Sequence, residues 1–136
     1  MPQPLLQIVY VSSASYLMTE NELDELLEEI RTNNERLNVS GMLLYKDGCF
    51  IQVIEGPPET LEALFDRISN DDRHHDVMEL LHTSIPSREF GAWTMGYQRL
   101  GDDQLNGFNN FFCQNHTVTQ NAKLGSEALA LMLTYR

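Results

Sequence analysis

Residues 41–56 form an almost unbroken apolar run whose main interruption is Asp47-Gly48, and this pattern constrains the fold more than any other in the chain. Asp-Gly suits a type I′ turn, in which both central residues adopt positive φ. The flanking segments 39–46 and 49–55 are rich in strand-forming residues, so they predict a tight antiparallel hairpin. Both strands are apolar on both faces, and each face of the sheet that contains them needs a cover. Gln52 resists that burial. Its amide carries one acceptor and two donors, and each group left unpaired in a core costs on the order of 1–3 kcal/mol. A polar partner has to face it, either a neighbouring hydroxyl or backbone group that specifies the core, or something with a function.

The segments around the hairpin supply the rest of the architecture. Residues 5–12 predict a central strand with Leu6, Ile8, Tyr10 and Ser12 on one face and Leu5, Gln7, Val9 and Val11 on the other. Thr19 to Glu22 is a capping box, and Leu23, Leu26, Leu27 and Ile30 follow at i, i+3, i+4 and i+7, which predicts a helix over 19–33. Gly56, Pro57 and Pro58 break the hairpin and start a second helix with the same stripe at Leu61, Leu64, Phe65 and Ile68. Segments 77–87 and 92–100 read as two further strands. The order β-α-β-β-α-β-β is an α+β arrangement, the ferredoxin-like split plan with one added strand: a mixed sheet with two helices on one face. Residues 102–136 carry two apolar groups, 105–112 and 124–133, divided by a polar stretch. They predict a C-terminal two-helix extension that covers the other face, pairs with another subunit, or does both.

At 136 residues the chain can bury a core within one domain. Its formal charge of −11, from 20 acidic and 9 basic residues, repels phosphate backbones and anionic lipid, so neither nucleic acid nor a membrane is an expected partner. No basic leader or spanning apolar stretch is evident, and the expectation is a cytoplasmic protein. Cys49 and Cys113 lack metal-ligand spacing and are expected to be reduced, packed thiols. The cluster from Asp71 to Asp76 contains His74 and His75, but adjacent side chains in a turn diverge, and a solvated helix exit is the expected role. No nucleophile motif, P-loop or Gly-x-Gly-x-x-Gly is present, so neither a small hydrolase nor a usual nucleotide cradle is indicated.

Several polar groups should nevertheless converge. If the Tyr10 and Gln52 faces both look toward the helices, a phenol meets an amide. Asn33 and Asn34 stand where the first helix is expected to end, and Arg67 borders the stripe of the second. Separately, the asparagines read as a C-cap and Arg67 as a snorkelling surface side chain.

These residues, in this order and spacing, resemble the BLUF family of blue-light sensors using FAD. The resemblance covers about residues 5–100 and rests on Tyr10, on Asn34 before the 39–45 strand, and on Gln52 within 50–56. It also includes Arg67 to Asp71, then Arg73, His74 and His75, and finally Trp93, Thr94 and Met95. It implies a photosensory domain over 1–100, with 101–136 as cover, oligomer or output element. Tyr10 and Gln52 would be the photoactive pair beside the flavin N5 and C4 carbonyl. Asn34 would bond the C4 carbonyl and N3-H edge, and Arg67 the C2 side, with Asn33 and Asp71 nearby. Leu26 and Ile68 would clamp the ring, Ile30 would stand toward the ribityl end, and Trp93 and Met95 on the fifth strand would carry output. The family chemistry implies light-driven electron and proton transfer from Tyr10 and a hydrogen-bond rearrangement of Gln52, without net catalysis. The resemblance further implies a homo-oligomer that signals to a separate downstream protein. The competing expectation is a flavin-free ferredoxin-like interaction or ligand-binding domain in which Tyr10 and Gln52 are a satisfied core pair.

Overall fold

The computed structural model describes residues 4–16, 18–46, 48–91 and 95–99, together with 129, 130 and 133. The elements follow the expected order: β1 (Leu5–Ala14), α1 (Glu20–Leu37), β2 (Ser40–Lys46), β3 (Cys49–Gly56), α2 (Pro58–Ser69), β4 (His74–Ile85) and β5 (Gly96–Arg99). They build one five-stranded sheet in the order β4-β1-β3-β2-β5. The first four strands pair antiparallel and β5 pairs parallel to β2, so the sheet is mixed.

Local chemistry explains most boundaries. Helix α1 starts with a closed capping box, in which the Thr19 hydroxyl accepts from the Glu22 N–H at 3.2 Å and the Glu22 carboxylate accepts from the Thr19 N–H at 2.9 Å. It stops at Asn38, whose left-handed φ of 61° lets its N–H reach the Asn34 and Glu35 carbonyls. Asn33 and Asn34 therefore lie inside the last turns of α1, not at its exposed end; the sequence stripe stops at Ile30, but the helix continues until a residue that tolerates αL. In the hairpin Lys46 pairs with Cys49, and Gly48 takes the positive φ, 85°, that the turn demands. Gly41 is required for a different reason, since a Cβ there would collide with the Val53 carbonyl oxygen of the paired strand.

The sheet separates two cores. Leu6, Ile8, Phe50 and Ile54 pack beneath Leu23 and Leu27 of α1 and Leu61 of α2. On the opposite face Val9, Val11, Met42, Leu44, Ile51 and Val53 pack with Phe90, and helical Leu129 and Leu133 lie against them. The remainder of the expected C-terminal two-helix extension falls outside the described residues. Cys49 sits in this second core and is disulfide-bonded, which corrects the expectation of a reduced thiol. No local spacing around Cys49 signals the bond; Cys113, the chain's other cysteine, is outside the described residues.

A buried carboxylate fastens the segment that leads to β5. Glu55 is fully buried, with Gln7 Nε2 and the Glu89 N–H donating to Oε2 at 2.9 and 2.8 Å, and Ser40 Oγ and the Phe90 N–H donating to Oε1 at 3.2 and 2.9 Å. Arg88 adds bonds to Ser40 Oγ, the Glu55 carbonyl and the Asn38 carbonyl. Each Glu55 oxygen thus accepts two hydrogen bonds, the condition under which a buried polar group is tolerated.

Candidate functional site

Residues Tyr10 and Gln52 are direct cross-strand partners in the β1–β3 register, and Leu43 pairs with Gln52 from the other side. The period-two alternation of each strand turns both polar side chains toward the helices, alongside Ile8, Phe50 and Ile54. The Tyr10 hydroxyl donates to Gln52 Oε1, and Gln52 Nε2 donates to Met95 Sδ at 3.3 Å. All three residues are buried. The amide is thus occupied at both ends by a phenol and a thioether, a hydroxyl donor on one side and a weak acceptor on the other.

A pocket of about 260 Å³ opens over this pair between α1 and α2. Tyr10, Leu26, Ile30, Asn33, Asn34, Gln52, Arg67, Ile68 and Asp71 all line it, so the structure brings together every residue expected to hold a cofactor. Leu26 and Ile30 face in from α1, Leu64 and Ile68 from α2, and Leu43, Phe50 and Ile54 add apolar surface from the strands. Polar groups stand around that apolar slot: the buried amide of Asn34, the half-buried amide of Asn33, exposed Arg67, and Asp71 with Arg73. A flat heterocycle with hydrogen-bonding edges matches this distribution. Ligand pockets commonly span about 300–1,000 Å³, and at about 260 Å³ this one lies just below that range, room for a ring system and not for a whole dinucleotide.

The expected output residues fare differently. Met95 is buried and bonded to Gln52, but it precedes β5, which begins at Gly96, so it is not on the strand as expected. The short parallel pairing with β2 starts only where Gly96 meets Met42. Trp93 lies outside the described residues.

Electrostatics around the slot is dominated by Arg73. Its guanidinium bonds Asp71 at 2.6 Å and Glu29 at 3.0 Å, joining the α2–β4 turn to α1 at the pocket edge. The Arg73 hydrogen bond holds the Asp71 carboxyl below the usual carboxylate range, and Asp71 and Glu29 in turn raise the Arg73 guanidinium. Burial pushes the Tyr10 phenol far above its ordinary value, and the Asp71 charge pushes the same way. Tyr10 consequently keeps its proton, directed at Gln52, at neutral pH.

Sequence reasoning missed His74 as a pocket residue because it placed 71–76 in a solvated turn, whereas β4 already begins at His74. Its Nε2 lies 2.5 Å from the Ile68 carbonyl, which only accepts, so Nε2 donates there, and Nδ1 lies 2.8 Å from Ser12 Oγ. The ring stands edge-on to both Tyr10 and Phe50. His75 points away to Asp76, so the two histidines do not converge. Glu29 and Leu64 were also missed as lining residues, although Leu64 belongs to the recognised α2 stripe.

Comparison with known proteins gives the same picture. The profile of the BLUF family, sensors of blue light using FAD, matches residues 5–96. The alpha subunit of the photoactivated adenylate cyclase of Euglena gracilis is 33% identical over 88 residues, which is 65% of this chain but 9% of that protein. The chain thus spans about a tenth of such relatives. Among solved structures, the photo-activated state of BlsA superposes with a TM-score of 0.78 at 26% identity, covering 95% of this chain and 94% of that one. The dark-state BLUF protein BlrB gives a TM-score of 0.79 with 98% of each chain covered and, at 23% identity, attests the fold.

Proposed function

The chain belongs to the BLUF family of blue-light sensors using FAD, and we propose that Tyr10, Gln52 and Met95 form its light-responsive relay. The observation that carries this reading is the continuous hydrogen-bonded line from the Tyr10 hydroxyl through the Gln52 amide to Met95 Sδ, set along the apolar slot between the helices. Leu26 and Ile68 would clamp the ring, Asn34 would bond its C4 carbonyl and N3-H edge, Arg67 would serve its C2 side, and Asn33, Asp71 and Ile30 would complete the pocket. FAD, when bound, supplies a blue-light absorber whose excited state is a strong oxidant. Tyr10 is the electron and proton donor: its hydroxyl is protonated, buried and already aimed at an acceptor oxygen. Gln52 records the event, because an amide that turns over or tautomerises exchanges which neighbour meets N–H and which meets C=O. Nothing is consumed, so the output is a shift between two packings.

Residues 1–100 act as the sensor, and 101–136, with Trp93 and Met95, as the output element. Leu129 and Leu133 support that division, since they rest on the sheet face opposite the pocket. The signal passes to a separate downstream protein, and the sensor works as a cytoplasmic homo-oligomer. Among the described residues no helix is long and apolar enough to cross a membrane.

Purified protein is expected to be yellow, to shift its flavin band to the red under blue light and to recover in darkness. Tyr10→Phe and Gln52→Leu should each retain FAD and lose the normal shift. A normal photocycle in either variant refutes the pair, and a colourless protein that FAD cannot reconstitute favours the flavin-free domain.

A further inference from the structure

Arg31 stands on α1 beside Ile30, two residues before Asn33, yet it lines no part of the pocket described above. Its Nε donates to the backbone carbonyl of Met95 at 2.8 Å, across 64 residues of sequence. Met95 is therefore held at two points. Its side chain takes the Gln52 amide through Sδ, and its carbonyl is tied to the helix that supplies one wall of the slot. On the following residue, Gly96, the pairing with β2 begins. Arg31 thereby joins α1 to the segment entering β5.

We propose that Arg31 is a positioning residue for light output, which fixes the Met95 backbone to α1 and so sets whether a movement of Gln52 is absorbed by the Met95 side chain or passed to β5. The proposal rests on the reading of Gln52 and Met95 as relay and output. When the Gln52 amide reverses, its carbonyl oxygen faces Met95 Sδ, and two lone-pair groups replace a donor and an acceptor. The sulfur has to leave. With Arg31 holding the carbonyl, departure is a rotation of the side chain about a fixed backbone. Without it, the backbone before β5 moves with the sulfur. Glu28 and Glu35 flank Arg31 at i−3 and i+4 on the helix, opposite in sign to its guanidinium.

The test compares wild type with Arg31→Met, which keeps the apolar stem, Arg31→Lys, which restores a cationic donor, and Thr32→Ala, whose hydroxyl bonds only the Glu28 carbonyl of its own helix. Methionine methyl NMR, with Met95 assigned by its loss in Met95→Leu, is recorded in darkness on flavin-free and FAD-loaded protein. Dark recovery is timed optically on the loaded form. Arg31→Met is expected to shift or broaden the Met95 methyl signal in both forms, to keep the size of the light-induced band shift, and to slow recovery by about fivefold, because the backbone freed from its charge-assisted bond then has to return together with the sulfur. Arg31→Lys should recover most of both effects and Thr32→Ala should show neither. A Met95 signal and a recovery time unchanged in Arg31→Met overturn the proposal. If wild type shows no light-induced shift, the photoreceptor reading fails, while the dark methyl spectra still decide whether Arg31 positions Met95.

Discussion

A double-mutant cycle on Tyr10 and Gln52 tests the central contact without light. Both residues are 3% exposed, so little water reaches a group whose partner is removed. Tyr10→Phe leaves Gln52 Oε1 without its donor, and Gln52→Leu leaves the phenol facing methyl groups and frees Met95 Sδ, a weak acceptor whose loss adds little. An unsatisfied buried group costs about 1–3 kcal/mol, so each single variant should lose about that much in urea unfolding of flavin-free protein. The double variant removes donor and acceptor together and leaves no orphan from the pair. Its loss should fall short of the summed singles by about 1–2 kcal/mol, a coupling within the range seen for contacting residues. The midpoints must be compared at equal m-values, since a changed slope reports a changed end state. Single-variant losses that add to within about 0.5 kcal/mol would show that the two groups are independent, and the relay would lose its first link.

Two further outcomes follow from the polar groups around the sheet. In Glu55→Gln, whichever oxygen becomes NH2 faces a backbone donor, from Glu89 or from Phe90, so the variant should lose about 2–4 kcal/mol in urea unfolding; a change below about 0.5 kcal/mol would mean that the network is not closed around a carboxylate. Asp71 is held below its ordinary value by Arg73, so its ionised form favours the fold above the unfolded carboxyl value near about 4, and that contribution fades as pH falls through the lower folded value. The thermal midpoint of wild type should accordingly exceed that of Asp71→Asn at pH 7, with the gap closing below about pH 4; a gap that persists to about pH 2 would contradict the assigned ion pair.

The elements were legible because their signals are local. A capping box, two stripes of period 3.6 and an Asp-Gly turn each act within one element, and together they leave few topologies. The Tyr10–Gln52 contact was legible for a related reason, since strand alternation puts both on one face and only register had to be supplied. Glu55 was not legible: in sequence it ends an apolar strand like any exposed terminus, and its acceptors matter only because the loop from Arg88 to Phe90 returns to it. The Arg31–Met95 bond and the disulfide at Cys49 escaped notice because neither has a local pattern.

The choice of methionine as the outer partner of Gln52 bears on how such a relay can be bistable. If the amide nitrogen donated to a carboxylate or a backbone carbonyl, reversal would forfeit a strong bond and leave an oxygen facing an oxygen in a dry core, at a cost of several kcal/mol. A thioether accepts weakly and adapts its rotamers, so the orientation seen here is favoured at that end by a small margin. The Tyr10 end carries most of the preference, because the buried phenol keeps its proton and needs an acceptor. Transient loss of that proton therefore removes the main reason for the present orientation. The amide can then settle either way, which is what a switch element with two states a few kcal/mol apart requires.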